Sequence, residues 1–269
     1  MLDWMLGKRN GGRHGAVPAG AYLETRMPWE PDGNVVAGFA ISNLIDDMMS
    51  DLKGPRGVHV ETLMTMVGAL AGFSAQHAIW ETIVKPGKLP AHGGADLAGG
   101  AFVIANTHTS EKYYFGDLLN SYLIPQGGKL AAFGPGPHTL WGFVASAVVQ
   151  CGRKPLTVED IQDVFRHAAA TVGTAQFGEP RLPREHRPAM MPRNALNREW
   201  PKARAILARQ DAPGAQGRSL APGHWPTAIA LVAQKLVLQT RDVIDPTLSM
   251  RILFEAAVPM SKVDRATVP

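Results

Sequence analysis

The stretch "TLMTMVGALAGFSAQHAIW", residues 62–80, decides the fold class because it contains 19 residues without a formal charge. A helix that crosses a bilayer needs about 20 mainly apolar residues. This stretch also contains side chains that are costly in lipid: Thr62, Thr65, Ser74, Gln76 and His77. We therefore predict a buried helix over residues 58–84, packed in the core or at a dimer interface, in preference to a membrane span.

The sequence around this helix predicts a mainly α protein with six to seven helices. Residues 34–54 repeat apolar side chains at helical spacing and end at a Gly-Pro pair. Thr157 and Asp245 stand where N-cap residues are expected, and Pro246 suits the first turn of the last helix. Charged residues make up only 19% of the chain, against about 25% on average, so helices must be buried or face another copy.

One small β-hairpin is predicted at about residues 102–116. Two runs of strand-forming residues, "FVI" and "YYF", flank a polar tip that contains His108. Alternation along a strand places Tyr113 and Tyr114 on opposite faces, so we expect one to pack inwards and the other to stay available. Asp117 follows the second strand and is expected to cap a helix over residues 118–124.

Glycine and proline divide the rest of the chain. With 28 Gly and 21 Pro, we expect long Gly/Pro-rich loops, a flexible N-terminal arm at residues 1–32, and a single helical domain at 33–269. Residues 177–221 are Pro/Arg-rich and are predicted to be an irregular, solvated arm or one that wraps a second subunit, with a helix only at 198–210. Nucleic acid is an unlikely partner, because Trp200 is the only aromatic residue near these basic residues that could stack on a base.

Several function classes lack their motifs in this chain. We find no phosphate-binding Gly-rich loop, dinucleotide fingerprint, nucleophile elbow or His-Glu-x-x-His sequence, so we expect no cofactor. The single cysteine, Cys151, allows no internal disulfide and follows an apolar helix, where a buried thiol is expected. At the N-terminus apolar residues precede basic ones, the reverse of a secretory signal, which predicts a bacterial-type cytoplasmic protein.

Two sets of residues are candidates for binding. Tyr113, Asp117 and Asn120 would form a ligand site with His138 if the loops at 106–120 and 133–141 meet, because His138 precedes a helix whose free N–H groups attract anions. Otherwise Tyr113 and Tyr114 are a core aromatic and a surface aromatic, and Asp117 is a helix cap. His77 and Glu81 lie four apart on one helix face and could bind a metal, or form an ordinary solvated or hydrogen-bonded pair.

These patterns predict a soluble, non-catalytic homo-oligomer, a dimer, that acts as a binding or structural protein. The charge-poor helix with Gly68 and Gly72 four residues apart suits close helix association. The alternative is a small-molecule-binding protein or an enzyme that uses the 106–120 and 133–141 loops, with Asp117 or His138 as acid, base or anion anchor.

Overall fold

The computed structural model describes residues 26–30, 33–55, 57–87, 97–98, 102–107, 110–125, 138–211 and 217–269. His108, residues 133–137 of the second predicted loop and most of the predicted N-terminal arm lie outside these ranges. The end of that arm lies against the folded part, since Trp29 is buried in the hydrophobic core.

The mainly α prediction is confirmed, with eight α-helices in the described ranges. They are α1 (Asn34–Asp51), α2 (Val60–Ile79), α3 (Asp117–Ser121), α4 (Leu140–Gln150), α5 (Val158–Ala170), α6 (Pro192–Leu207), α7 (Trp225–Thr240) and α8 (Pro246–Met260). A five-residue π-helical turn, Trp80–Val84, extends α2. Thr157 forms a capping box with Asp160 at the start of α5, and Asp245 accepts N–H groups of the first turn of α8, as expected.

Five short strands accompany the helices in this part of the chain. They are β1 (Lys53–Gly54), β2 (Gly57–Val58), β3 (Leu97–Ala98), β4 (Phe102–Asn106) and β5 (Lys112–Phe115). Strands β1 and β2 form one antiparallel pair, and β3, β4 and β5 form a second antiparallel sheet in that order. The predicted hairpin at about 102–116 is therefore present as β4 and β5.

Helix α2 forms the centre of the protein. Every residue of α2 except Glu61 is buried, and the helix contacts α6, α7 and α8. One of its polar side chains joins α2 to the end of α8: the Gln76 Nε2 donates to the carbonyl oxygens of Ser261 (3.0 Å) and Val263 (2.9 Å). A helix that is apolar on all sides is the core of the fold. No helix of the described residues is long and apolar enough to cross a membrane.

The two glycines of α2 face α8 of the same chain. A Cβ added to Gly68 would lie 3.0 Å from the Cα of Leu253, and one added to Gly72 would lie 2.7 Å from the carbonyl carbon of Ala257. Only glycine allows the two backbones to approach so closely. The small residues that suggested contact between copies are thus used in contact within one chain.

The prediction of an irregular, solvated arm is wrong for residues 192–207 of the Pro/Arg-rich segment, which form α6, while residues 177–191 contain no α-helix, as expected. Helix α6 begins at Pro192, six residues earlier than expected, and packs on α1 and α2. Its apolar side chains recur at a spacing of three to four residues and are buried: Ala195, Leu196, Trp200, Ala203 and Leu207. The basic residues of α6 lie outside this buried set, so a strongly basic composition concealed an amphipathic helix.

We expect Gly72→Ala to destabilise the protein by about 1–3 kcal/mol, because the new methyl group must push α8 away from α2. The matched control is Gly38→Ala on the exposed face of α1, where an added Cβ meets nothing within 4 Å. There alanine should stabilise by about 1 kcal/mol through its helix propensity. Urea unfolding of both variants measures this, and a Gly72→Ala protein as stable as the control would contradict the packing.

Candidate functional site

The hairpin is joined to the chain that follows α8. The Tyr114 N–H donates to the carbonyl oxygen of Lys262 (2.8 Å), and Tyr113 forms an antiparallel bridge with Val263. Gln76 holds the same segment from the α2 side. Residues 261–263 therefore connect the sheet to the central helix.

A cleft of about 280 Å³ opens beside this junction, between β5, the turn at residues 174–177, the first turn of α6 and the C-terminal segment 263–267. Its apolar lining comes from Phe177, Met260 and Val263. Its titratable lining consists of side chains from three distant parts of the chain: Glu111, Lys112, Tyr113, Arg193 and Asp264. We take this cleft as the candidate site.

Tyr113 forms one wall of the cleft. Its hydroxyl donates to the Oε2 of Glu111 (2.8 Å), and its ring meets the edge of Phe177 at a centroid distance of 4.7 Å. Burial, with the Glu111 contact, raises the pKa of Tyr113. The expectation that only one of the two tyrosines is buried is wrong. The opposite face of β5 packs Tyr114 against Phe102 in a second apolar cluster beside the end of α2.

Arg193 brings a half-buried positive charge to the cleft. Its Nη2 donates to the Thr267 carbonyl oxygen (3.3 Å) and to the Thr267 hydroxyl oxygen. Burial lowers the pKa of Arg193, while the nearby Tyr113, Glu111 and Asp264 oppose that shift. The guanidinium is thus fixed in orientation by the C-terminal segment.

The other two predicted hairpin residues lie near Lys262 instead. The Lys262 Nζ donates to the Oδ1 of Asn120 (2.7 Å) and lies 5.6 Å from the Phe115 ring centroid and 5.2 Å from that of Phe165. The Lys262 side chain is fully buried, which lowers its pKa to about 7, and the Asp117 charge opposes the shift. Lys262 is not a candidate from the sequence, because an isolated lysine after an apolar helix is ordinarily exposed.

The prediction that Asp117 caps a helix is wrong. Helix α3 has Gly116 at its N-cap position and shows no side-chain cap, and Asp117 is its first helical residue. The strand therefore turns into the helix one residue earlier than the sequence suggested. Asp117 instead contributes a negative charge near Lys262.

His138 is not brought to the other predicted site residues. Within the described residues its Nε2 contacts the Arg26 carbonyl oxygen (3.0 Å), and its ring stacks on Phe143 at 6.0 Å. The helix that follows is capped by Thr139, whose hydroxyl accepts the Gly142 N–H. The first two N–H groups of this helix, of Leu140 and Trp141, donate to the carbonyl oxygens of Tyr122 and Leu123, so the described part of the chain uses them in place of an anion.

His77 and Glu81 have separate partners. The His77 ring stacks on Trp225 at 4.9 Å and meets Trp200 edge-on at 5.2 Å, and burial lowers its pKa to about 4. Glu81 pairs with Lys85 (3.1 Å) and Arg265 (3.7 Å). No hydrogen bond joins the two residues in the described part of the chain, so His77 is an aromatic core residue there.

Another cluster contains carboxylates that could bind a metal, but basic side chains of the protein pair with them. Carboxylate oxygens of Asp47, Asp51 and Glu199 lie within 4.8 Å of one another, the one such group among the described residues. Lys202 pairs with Asp51 and Glu199, and the Nε of Arg198 lies 2.9 Å from the Oε1 of Glu199. We interpret this group as an ion-pair cluster that ties α1 to α6.

Comparison of the chain with protein-family models, curated proteins and solved structures finds no match.

The buried amine of Lys262 predicts a pH dependence of stability. Its folded pKa of about 7 lies below the 10.5 of an unfolded lysine, so between these values the unfolded chain binds the extra proton. The free energy of unfolding should rise as the pH increases from 7 to 10.5, and Lys262→Met should remove most of that rise. Urea unfolding across this range tests it. Lys235→Met, on an exposed position of α7, should keep the rise.

His77 predicts a second pH dependence, at acid pH. Because burial keeps the folded pKa near 4 and an unfolded histidine titrates near 6.5, stability should fall as the pH drops from 6.5 to 4. His77→Phe retains an aromatic ring against Trp225 and should reduce the slope in this window, to which His138 and His224 also contribute because burial lowers their pKa values. His167→Gln on α5 serves as the control. Equal slopes for wild type and His77→Phe would show that His77 titrates normally.

Proposed function

We propose that this protein binds a small molecule in the cleft beside Tyr113 and acts as a binding protein without catalysis. The observation that carries the proposal is the lining itself, which combines three apolar side chains with four charged and three hydroxyl-bearing ones. Small-molecule sites are concave and combine apolar contacts with polar groups that fix the orientation of the ligand. Of the predicted ligand-binding residues, Tyr113 lines this cleft.

The lining favours binding over catalysis. Histidine and cysteine, which often transfer protons or attack substrates near neutral pH, are not among the described residues that line the cleft. Burial raises the pKa of Tyr113, so its hydroxyl stays protonated and donates a hydrogen bond. Lys262, with a pKa of about 7, is buried and does not line the cleft.

Self-association stays a separate prediction. The features that suggested a dimer, the glycines of α2 and the Pro/Arg-rich segment, are used in contacts within one chain. They no longer favour an oligomer over a monomer. Cytoplasmic location likewise remains a prediction from the sequence.

The test is native mass spectrometry of the protein purified gently from cells and then exposed to a metabolite extract. Two exposed strand positions are compared: Lys112 lines the cleft, and Val103 lies elsewhere on the same sheet. Tryptophan is a strand-forming residue, so it should be tolerated at either position. We expect wild type and Val103→Trp to retain a small-molecule mass that Lys112→Trp, with its cleft obstructed, loses. The same bound mass in all three proteins, or in none, would refute the proposal.

A further inference from the structure

We propose that the ligand of the cleft is a small zwitterion with an apolar side group, of the α-amino acid type. This inference rests on the proposed binding function and deepens it. It follows from the signs, positions and partners of the four charged side chains that line the cleft.

The charges of the cleft balance but do not pair with one another. Arg193 and Lys112 are positive, Glu111 and Asp264 are negative, and all four line one space of about 280 Å³. Within the described residues, none of the four forms an ion pair within 4.0 Å, although many other charged side chains of the protein do. Charges of both signs that line one cleft without a direct ion pair between them suit a ligand that carries both signs.

Arg193 is suited to hold the carboxylate. Both of its hydrogen bonds in the described structure come from Nη2 to Thr267, which orients the guanidinium and leaves other N–H donors for a ligand. A guanidinium matches the two oxygens of a carboxylate with parallel hydrogen bonds. A carboxylate would also offset the cost of burying this charge.

Glu111 and Asp264 are suited to hold the ammonium group. Glu111 accepts the Tyr113 hydroxyl at Oε2, and Asp264 accepts the Ala266 N–H at Oδ1 (2.9 Å). Each carboxylate keeps a second oxygen with acceptor capacity. A dianion such as a phosphate ester would be attracted by Arg193 and Lys112 but repelled by these two carboxylates.

The apolar lining of the cleft indicates that the ligand also has an apolar side group. This lining consists of Phe177, Met260 and Val263, and the Tyr113 ring adjoins Phe177. The cleft volume lies just below the range of about 300–1,000 Å³ found for drug-sized ligands. One amino acid with an aliphatic or aromatic side chain suits this space better than a nucleotide.

The experiment is calorimetric titration of the full chain with three probes that share a phenyl group: L-phenylalanine, N-acetyl-L-phenylalanine and 2-phenylethylamine. The first carries both charges, the second only the negative one and the third only the positive one. We expect L-phenylalanine to bind at least about tenfold more tightly than either of the others, because each charged contact contributes a factor of this order.

Substitutions test which side chains of the cleft bind the carboxylate of the ligand and which bind its ammonium group. Arg193→Gln should abolish the preference over 2-phenylethylamine, and Arg193→Lys should restore it only in part, since lysine lacks the two-pronged geometry. Glu111→Gln combined with Asp264→Asn should abolish the preference over N-acetyl-L-phenylalanine. Arg184→Gln, outside the cleft lining, is the matched control and should leave all three affinities unchanged.

The outcomes separate this inference from the proposed function. Equal or tighter binding of a singly charged probe, binding of none of the probes, or a preference unchanged in Arg193→Gln would overturn the zwitterion assignment. If Lys112→Trp still removes a bound mass in native spectra, the binding function stands with a different ligand. If no mass is retained either, both proposals fail.

Discussion

The close approach of α2 and α8 at Gly68 and Gly72 is the contact on which the rest of the structure depends. Helix α2 is buried all round, so its position determines where every neighbouring helix can lie. With no Cβ at these glycines, α8 packs with its backbone against that of α2. The chain therefore leaves α8 at a defined point, next to Gln76, which binds the backbone of residues 261 and 263 through its side-chain amide. The hairpin then docks on that same short segment.

The junction between the hairpin and residues 261–263 borders two unusual environments, the surroundings of the buried Lys262 and the cleft. On one side, Lys262 is buried between two aromatic rings, with Asn120 as its hydrogen-bond partner. On the other side, the residues just after Lys262 line the cleft together with Tyr113 and Arg193. A change in the docking of the hairpin would alter both, since the Lys262 carbonyl accepts the Tyr114 N–H. The stability of the junction and the shape of the cleft are thus coupled through the same backbone hydrogen bonds.

The protein uses its few charges in two ways. Most of those that approach the interior form ion pairs that fasten one element to another, as when Arg181 joins the buried Glu255 of α8 to Asp163 of α5. The acid-base cluster of Asp51, Glu199 and Lys202 fastens α6 to α1 in the same way. The charges of the cleft differ because no ion pair neutralises them within the described residues. That contrast is one basis of the binding site proposed above.

Local signals in the sequence determined the helical class, the central buried helix, the hairpin and the caps at Thr157 and Asp245. These features depend on residues within one or two turns of each other, which a sequence displays directly. The burial of α6, the position of Asp117 and the cleft depended on the tertiary structure. Arg193 meets Thr267 across 74 residues, and Lys262 meets Asn120 across 142. Such pairs come together only after α8 has packed on α2, because that packing sets where the end of the chain lies. The sequence therefore predicted the fold class and one wall of the candidate site, while the packing of distant segments decided the remainder.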